Sequence, residues 1–179
     1  MLGIALLSAA AWGIARPALA DDRGYIGVIS GFALPSPGAQ SFTIGVKGAY
    51  KIVPIVRTSL YFYTFGSGAE TDASALPYVD AFTRTNLFGG DATFHFFTNA
   101  RIGATIGLER LSSQVRAQGA TGSAIQFEDS GSGLYLGPVF QYDVPVGRFT
   151  LGGEAMYAYA LSSSVPKTLL LLATVKFWF

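Results

Sequence analysis

From Tyr25 to the end of the chain, apolar and polar side chains alternate in segment after segment, with Gly, Pro, Ser or Asn between the segments. Residues two apart share a face of a β-strand. In residues 42–51 one face therefore carries Phe42, Ile44, Val46, Gly48 and Tyr50, and the other Thr43, Gly45, Lys47, Ala49 and Lys51. Residues 56–65 set Val56, Leu60 and Phe62 against Arg57, Ser59, Tyr61 and Tyr63. Residues 87–96 set Phe88, Ala92, Phe94 and Phe96 against Asp91, Thr93 and His95. Residues 101–109 set Ile102, Ala104, Ile106 and Leu108 against Arg101, Gly103, Thr105, Gly107 and Glu109. Further on, Leu134, Leu136, Phe140 and Tyr142 oppose Tyr135, Gln141 and Asp143, and Phe149, Leu151, Ala155, Tyr157 and Tyr159 oppose Arg148, Thr150 and Glu154. The last segment places Leu169, Leu171, Ala173, Val175, Phe177 and Phe179 opposite Thr174, Lys176 and Trp178. With the weaker segment 25–32, the pattern predicts an all-β chain of eight strands.

In this phasing the charges Lys47, Lys51, Arg57, Asp91, Arg101, Glu109, Asp143, Arg148, Glu154 and Lys176 all fall on the polar faces. A charge on a lipid-facing position costs about 2–4 kcal/mol at the bilayer midplane. The connections at 51–55, 97–100 and 143–147 are short, whereas 35–41, 66–82, 111–133 and 162–167 are mostly longer and rich in Gly, Ser, Ala and Pro. Short turns on one side and longer loops on the other are the asymmetry of a transmembrane barrel, the short set being periplasmic. Residues 123–128 are expected to extend two strands beyond the membrane as an exposed hairpin. Pro138 alone among the prolines falls within a strand and away from the signal and connections, which predicts a bulge there.

Composition decides between a soluble sandwich and a barrel. Half of the 179 residues are hydrophobic and only 13% are charged, against about 25% charged in a soluble domain. A sandwich needs a hydrated outer face. Here the polar faces are mostly Gly, Ala, Thr and Tyr, which suits a narrow lumen packed with side chains. In lipid an open sheet edge has no water to bond, so the sheet has to close. Tyr50, Phe96, Phe97, Tyr142, Phe149, Phe177 and Phe179 cluster at the predicted short-turn ends, as an interfacial aromatic girdle does. No apolar run after residue 20 is long enough for a transmembrane helix.

Residues 2–15 are an apolar stretch followed by Arg16-Pro17 and Ala18-Leu19-Ala20. That is the apolar core and small-residue cleavage site of a secretory signal peptide, although no Lys or Arg precedes the stretch. The expected organisation is a signal peptide over 1–20 and an outer-membrane β-barrel over 21–179. Without Arg16 the chain holds 11 basic and 11 acidic residues and no cysteine. Nothing points to nucleic acid, a disulfide framework or a lipidated cysteine.

The carboxyl-terminal sequence Leu171-Leu-Ala-Thr-Val-Lys-Phe-Trp-Phe179, apolar at Leu171, Ala173, Val175, Phe177 and Phe179, resembles the terminal strand recognised by the bacterial barrel-assembly machinery. With the eight-strand pattern, the chain resembles the small outer-membrane barrels of the OmpA, OmpX and opacity type. The resemblance implies an up-and-down barrel in the bacterial outer membrane, amid phospholipid and lipopolysaccharide, with a periplasmic amino terminus and a structural, adhesive or protective role.

Lys47, Arg57, Asp91, Arg101, Glu109, Glu154 and Lys176 are expected to pair as a neutralising ion network inside the lumen, since an unpaired buried ion costs several kcal/mol. Such a network reads as a plug that fixes register; the rival reading is a narrow channel or transporter for small molecules. A conduit needs a lane of small residues, and Gly27, Gly31, Gly45, Gly103, Gly107, Gly137 and Gly152 leave room for one. His95, the single histidine, is placed at the short-turn end, far from any lipid A substrate. Ser59 and Ser112 lack a matching His-x-Ser element, so no enzyme is expected. One His and no clustered carboxylates argue against a metal site, and no cofactor is expected. The loop acids Glu70, Asp72, Asp80, Glu128 and Asp129 read as solvated rather than as a divalent-cation site bridging lipopolysaccharide. A surface ligand for the long loops is left open.

Overall fold

The computed structural model describes residues 23–36, 39–70, 78–118, 124–163 and 165–179. The segment read as a signal peptide lies outside the described residues, as do Asp72 and Ser123. Eight strands follow in chain order: β1 (Gly24–Ser36), β2 (Ser41–Val53), β3 (Val56–Glu70), β4 (Tyr78–His95), β5 (Ala100–Gln118), β6 (Ala124–Val146), β7 (Phe149–Ala160) and β8 (Lys167–Trp178). Each pairs antiparallel with the next, and β1 pairs antiparallel with β8, so the sheet closes into an up-and-down barrel. At the seam Gly24 and Phe179 exchange backbone hydrogen bonds of 3.2 and 3.0 Å.

The pairing fixes the barrel's dimensions. Stepping from partner to partner, from Gln141 through Glu154, Leu172, Gly31, Thr43, Phe65, Thr85 and Leu111, leads back to β6 at Gly131, ten residues from the start. A stagger of that size over eight strands requires a steep tilt, of the order of 40°, and leaves an interior that side chains fill.

The alternation is realised almost residue for residue. Ile26, Val28, Val46, Leu60, Phe88, Ile106, Leu136, Leu151 and Val175 are exposed on the outside, while their strand neighbours Ile29, Lys47, Tyr61, Leu87, Thr105, Tyr135, Thr150 and Lys176 are buried. The first outward charges on β4 and β5 are Arg84 and Arg110, above the apolar belt. A belt of exposed Ile, Leu, Val and Phe round a closed sheet is a lipid-facing surface.

Three features differ from the pattern read in the sequence. The strands toward the long connections run further: β3 reaches Glu70 and β4 begins at Tyr78, whereas β5 reaching Gln118 and β6 beginning at Ala124 agree with the hairpin expected around 123–128. Beyond the membrane both faces of a strand meet water, so pairing persists where apolar alternation has stopped. Arg148 is not a lumen residue. It is exposed in the Gly147–Arg148 turn, where Gly147 takes φ 64° at the first central position of a two-residue hairpin. Pro138 makes no bulge: pairing to β7 lapses at Gly137 and Pro138 and resumes at Val139–Met156 with the register of Leu136–Tyr159 unchanged. The described register shift lies elsewhere, between Lys51 and Val53 on β2.

Candidate functional site: the stratified lumen

The narrow lumen is packed in layers. Nearest the short-turn end, Asp143 gathers cations from three strands. Its carboxylate accepts from Lys176 Nζ at 2.6 Å and from Arg101 Nη1 at 2.9 Å, with Arg57 Nη1 at 3.9 Å. Arg57 also lies over the Trp178 ring, 4.3 Å from its centre, and Trp178 Nε1 donates to Thr150 Oγ1 at 2.7 Å. His95 sits at this end and meets the Arg101 guanidinium through Nε2 at 3.1 and 3.3 Å. Ser112 is at the opposite end of β5 and Ser59 faces Asp91 across β3 and β4, so neither stands with His95 as a nucleophile and base.

The next layer is centred on Lys47, which is 1% exposed. Its ammonium lies 2.6 Å from Asp91 Oδ2 and 2.7 Å from Glu154 Oε2. Glu154 also accepts from Gln141 Nε2 and Tyr63 OH, both at 3.0 Å. Two carboxylates on one ammonium, with amide and phenol donors on the remaining lone pairs, are what a buried ion requires in order to be tolerated.

Above this ion layer the lumen is closed by tyrosines. Tyr61 and Tyr63 stack with ring centres 4.6 Å apart, and the Tyr61 hydroxyl bonds both the Tyr135 hydroxyl, at 2.6 Å, and Thr105 Oγ1. Gly89 and Gly107 lie beneath these phenols. A Cβ at either would come 2.5 Å from the Tyr135 oxygen. Gly45 is filled in the same way by the Tyr63 ring and Gly152 by the Asp143 carboxylate. The space left by small residues is thus taken up by large neighbours, and the lane that the glycines suggested does not form at these positions.

Beyond the tyrosines the lumen turns apolar, with Ala33, Phe65, Leu87, Met156, Ala158, Leu170 and Leu172 buried in one cluster. Alternation by polarity predicts polar and small residues throughout the interior, and this layer departs from it. The signal was present in the runs Ala155–Ala160 and Leu169–Leu172, where both faces are apolar and alternation by polarity fails.

Of the seven lumen charges singled out from the sequence, six enter the two ion layers; Glu109 does not. It is buried on the far side of the tyrosines, and among the described residues neither carboxylate oxygen has a hydrogen-bond partner. Asp143, which was placed on a polar face but outside that set, is the hub of the lower layer. The terminal-strand residues Leu171, Ala173, Val175, Phe177 and Phe179 all face outward, with Phe177 against Phe149 at 5.4 Å between ring centres. The expected girdle residues Tyr50, Phe96, Phe97, Tyr142, Phe149, Phe177 and Phe179 are all exposed. Among the described residues no group of His, Cys, Asp and Glu is placed to hold a metal ion. Glu128 and Asp129 are exposed, Glu128 accepting from Gln126 Nε2 at 3.0 Å, and the side chains of Glu70 and Asp80 lie outside the described set.

At the long-connection end the sheet is lopsided. β3 pairs with β2 only as far as Phe65 but with β4 as far as Glu70. Similarly, β5 and β6 pair up to Gln118–Ala124, whereas β6 and β7 pair only from Tyr135–Ala160. The outer parts of β3, β4, β5 and β6 therefore stand above the rest as an open sheet. Residues 66–70 of β3 and 124–133 of β6 have no strand on their outer side among the described residues.

No family model and no curated protein matches the chain. Among solved structures the barrel is similar to Ail, the attachment invasion locus protein of Yersinia pestis. That match has 14% identity, covers 87% of this chain and 97% of the other, and has a TM-score of 0.60. It is also similar to a major outer membrane protein of Thermus thermophilus, at 12% identity over 89% of this chain and 100% of the other, TM-score 0.57. A third likeness is the N-terminal β-barrel domain of Pseudomonas aeruginosa OprF, at 14% identity over 89% and 100%, TM-score 0.50. The fold is that of the small bacterial outer-membrane barrels.

Proposed function

We propose that this chain is a non-enzymatic barrel of the bacterial outer membrane whose raised sheet, outside the cell, attaches to or shields against other surfaces. The short-turn end then faces the periplasm and the long hairpins face outward, in keeping with the loop asymmetry of such barrels. The observation that carries the reading is the open sheet of β3 to β6 with its two unpaired margins. An exposed strand edge offers a row of backbone donors and acceptors to an extended segment of another protein. On it Phe127, Glu128 and Asp129 are exposed, a large ring beside two acids with no internal role in packing the barrel. The Yersinia relative in fold is named for attachment, which agrees with this reading without extending to its partners. The filled lumen supports a structural plug over a channel. The outward apolar face of Leu171, Ala173, Val175 and Phe177 on β8 supports the assembly role implied by the resemblance.

The test replaces residues 67–82 and 112–132 by short turns in the full chain displayed on bacteria. The barrel is expected to insert still, as a compact band that shifts on boiling. Adherence of the bacteria to epithelial monolayers and their survival in serum should fall to the level of cells lacking the protein. Unchanged adherence and unchanged survival would overturn the reading.

A further inference from the structure

The lipid-facing wall is not even. A groove of about 550 Å³ is cut into it across β1, β8 and β7, within the range of small-molecule sites. The strand pairing shows how it arises. Ser30, Ala173 and Gly153 lie side by side on one rung, and Ala155 follows two residues on, so four small side chains make the floor. Phe32 and Phe42, packed edge to face with ring centres 6.4 Å apart, stand along one side. Phe140 and Tyr142, which pair with Ala155 and Gly153, stand along the other. All four rings are exposed. A hollow in a packed surface forfeits contacts unless something flexible fills it, and on this face the flexible material is an acyl chain.

The short-turn rim beneath the same strands carries positive charge. Arg23 and Arg148 are exposed and Lys51 is half-buried. Lys51 N donates to Arg23 O at 2.7 Å, Gly24 N to Phe179 O at 3.2 Å and Trp178 N to Arg148 O at 3.0 Å. The three cations therefore follow one another along the lower edge of β2, β1, β8 and the β6–β7 turn. Among the described residues no acid stands on this rim, since Asp143 is buried in the lumen against three cations of its own. The other two short turns, 54–55 and 96–99, hold no Lys or Arg. Between rim and groove lie Leu151, Val175 and the Phe149–Phe177 pair, all exposed. The four residues from Phe177 to Ala173 span about 13 Å of strand, within the half-thickness of about 15 Å of a bilayer's hydrocarbon. A lipid with its phosphate at the rim thus reaches the groove with one chain. Arginine keeps its charge at physiological pH, and basic side chains at a membrane surface favour anionic headgroups. We infer that this sector of the barrel binds one anionic phospholipid, its phosphate held by Arg23 and Arg148 with Lys51 beside them, and one acyl chain in the Ser30–Ala173–Gly153 groove. The lipid belongs to the leaflet on the short-turn side, so the site stands apart from the attachment role of the raised sheet.

The test releases the full barrel from detergent micelles holding equal amounts of dioleoyl phosphatidylglycerol and dioleoyl phosphatidylethanolamine, and counts the retained lipids by native mass spectrometry. One phosphatidylglycerol per barrel is expected, retained about tenfold over phosphatidylethanolamine. Glycerol phosphate, which has the headgroup chemistry without the chains, should not be retained. Arg23→Ala combined with Arg148→Ala, both in exposed positions, should bring phosphatidylglycerol down to the phosphatidylethanolamine level. Gly153→Leu fills the groove at a glycine where an added Cβ meets only the Leu172 carbonyl oxygen, at 3.8 Å. It should lower phosphatidylglycerol retention at least about fivefold, whereas Ala92→Leu, outward on β4 across the barrel, should leave it unchanged. Equal retention of the two lipids by the natural chain, an undiminished preference in the double variant, or an equal loss in Ala92→Leu would overturn the site. Retention of glycerol phosphate, with Gly153→Leu without effect, would make the rim a site for free anions and overturn the lipid.

Discussion

At the scale of single residues the lumen depends on a few ions that cannot be removed singly. Asp143 is the carboxylate to which Arg57, Arg101 and Lys176 all turn, and all four are buried. Removing one partner of a buried ion pair costs about 3–5 kcal/mol, because the other charge is left uncompensated. Asp143→Asn should therefore lower the stability of the detergent-refolded barrel by about that much, read from urea unfolding followed by the boil-sensitive gel band. Arg148→Ala, in an exposed turn, should stay within about 0.5 kcal/mol. The sequence makes the burial of these charges legible, since polarity and strand phase determine it. It does not make the partners legible, because which residues meet across a barrel depends on the stagger, which no single strand encodes. That is why Asp143 emerges as a hub only in the structure and why Glu109 stands apart from the network it was expected to join.

At the scale of the strands, the belt that touches lipid was readable and the strand ends were not. Inside the membrane a wrong-facing side chain is penalised at every second position, so phase is written into the sequence. In the outer hairpins that penalty vanishes, and the Gly- and Ser-rich stretches 66–70 and 129–133 read as loops although they pair as strands, while only 123–128 carries a hairpin signal of its own. The same boundary predicts how substitutions behave. Ile106 is 63% exposed on the belt and Phe127 is 64% exposed on the raised sheet, so accessible area alone treats them alike. Ile106→Arg places a charge in hydrocarbon and should cost about 2–4 kcal/mol. Phe127→Arg, in water, should change folding stability by less than about 0.5 kcal/mol. Equilibrium unfolding from phospholipid vesicles separates the two, and equal costs would place the membrane elsewhere on the barrel.

At the scale of the whole molecule, closure turns eight amphipathic strands into a cylinder whose bore is set by strand number and stagger. That bore is crossed by two seals in series: the ion layers around Asp143 and Lys47, and the Tyr61–Tyr63–Tyr135 layer above them. An ion passing through has to displace Lys47 from two carboxylates within 2.7 Å and then part hydroxyls bonded at 2.6 Å. Each step exposes a buried charge or polar group that the sheet, fixed by its own hydrogen bonds, cannot widen to hydrate. The purified barrel should therefore show no steady single-channel conductance of porin size in planar bilayers. The double substitution Tyr61→Ala with Tyr135→Ala tests the ordering of the seals: it removes the upper one and leaves the ion layers in place, so the bilayer current should stay closed. Stepwise conductance in the natural chain would make the lumen a conduit, and its appearance only in the double variant would show the tyrosines to be the sole barrier and the ion layers permeable.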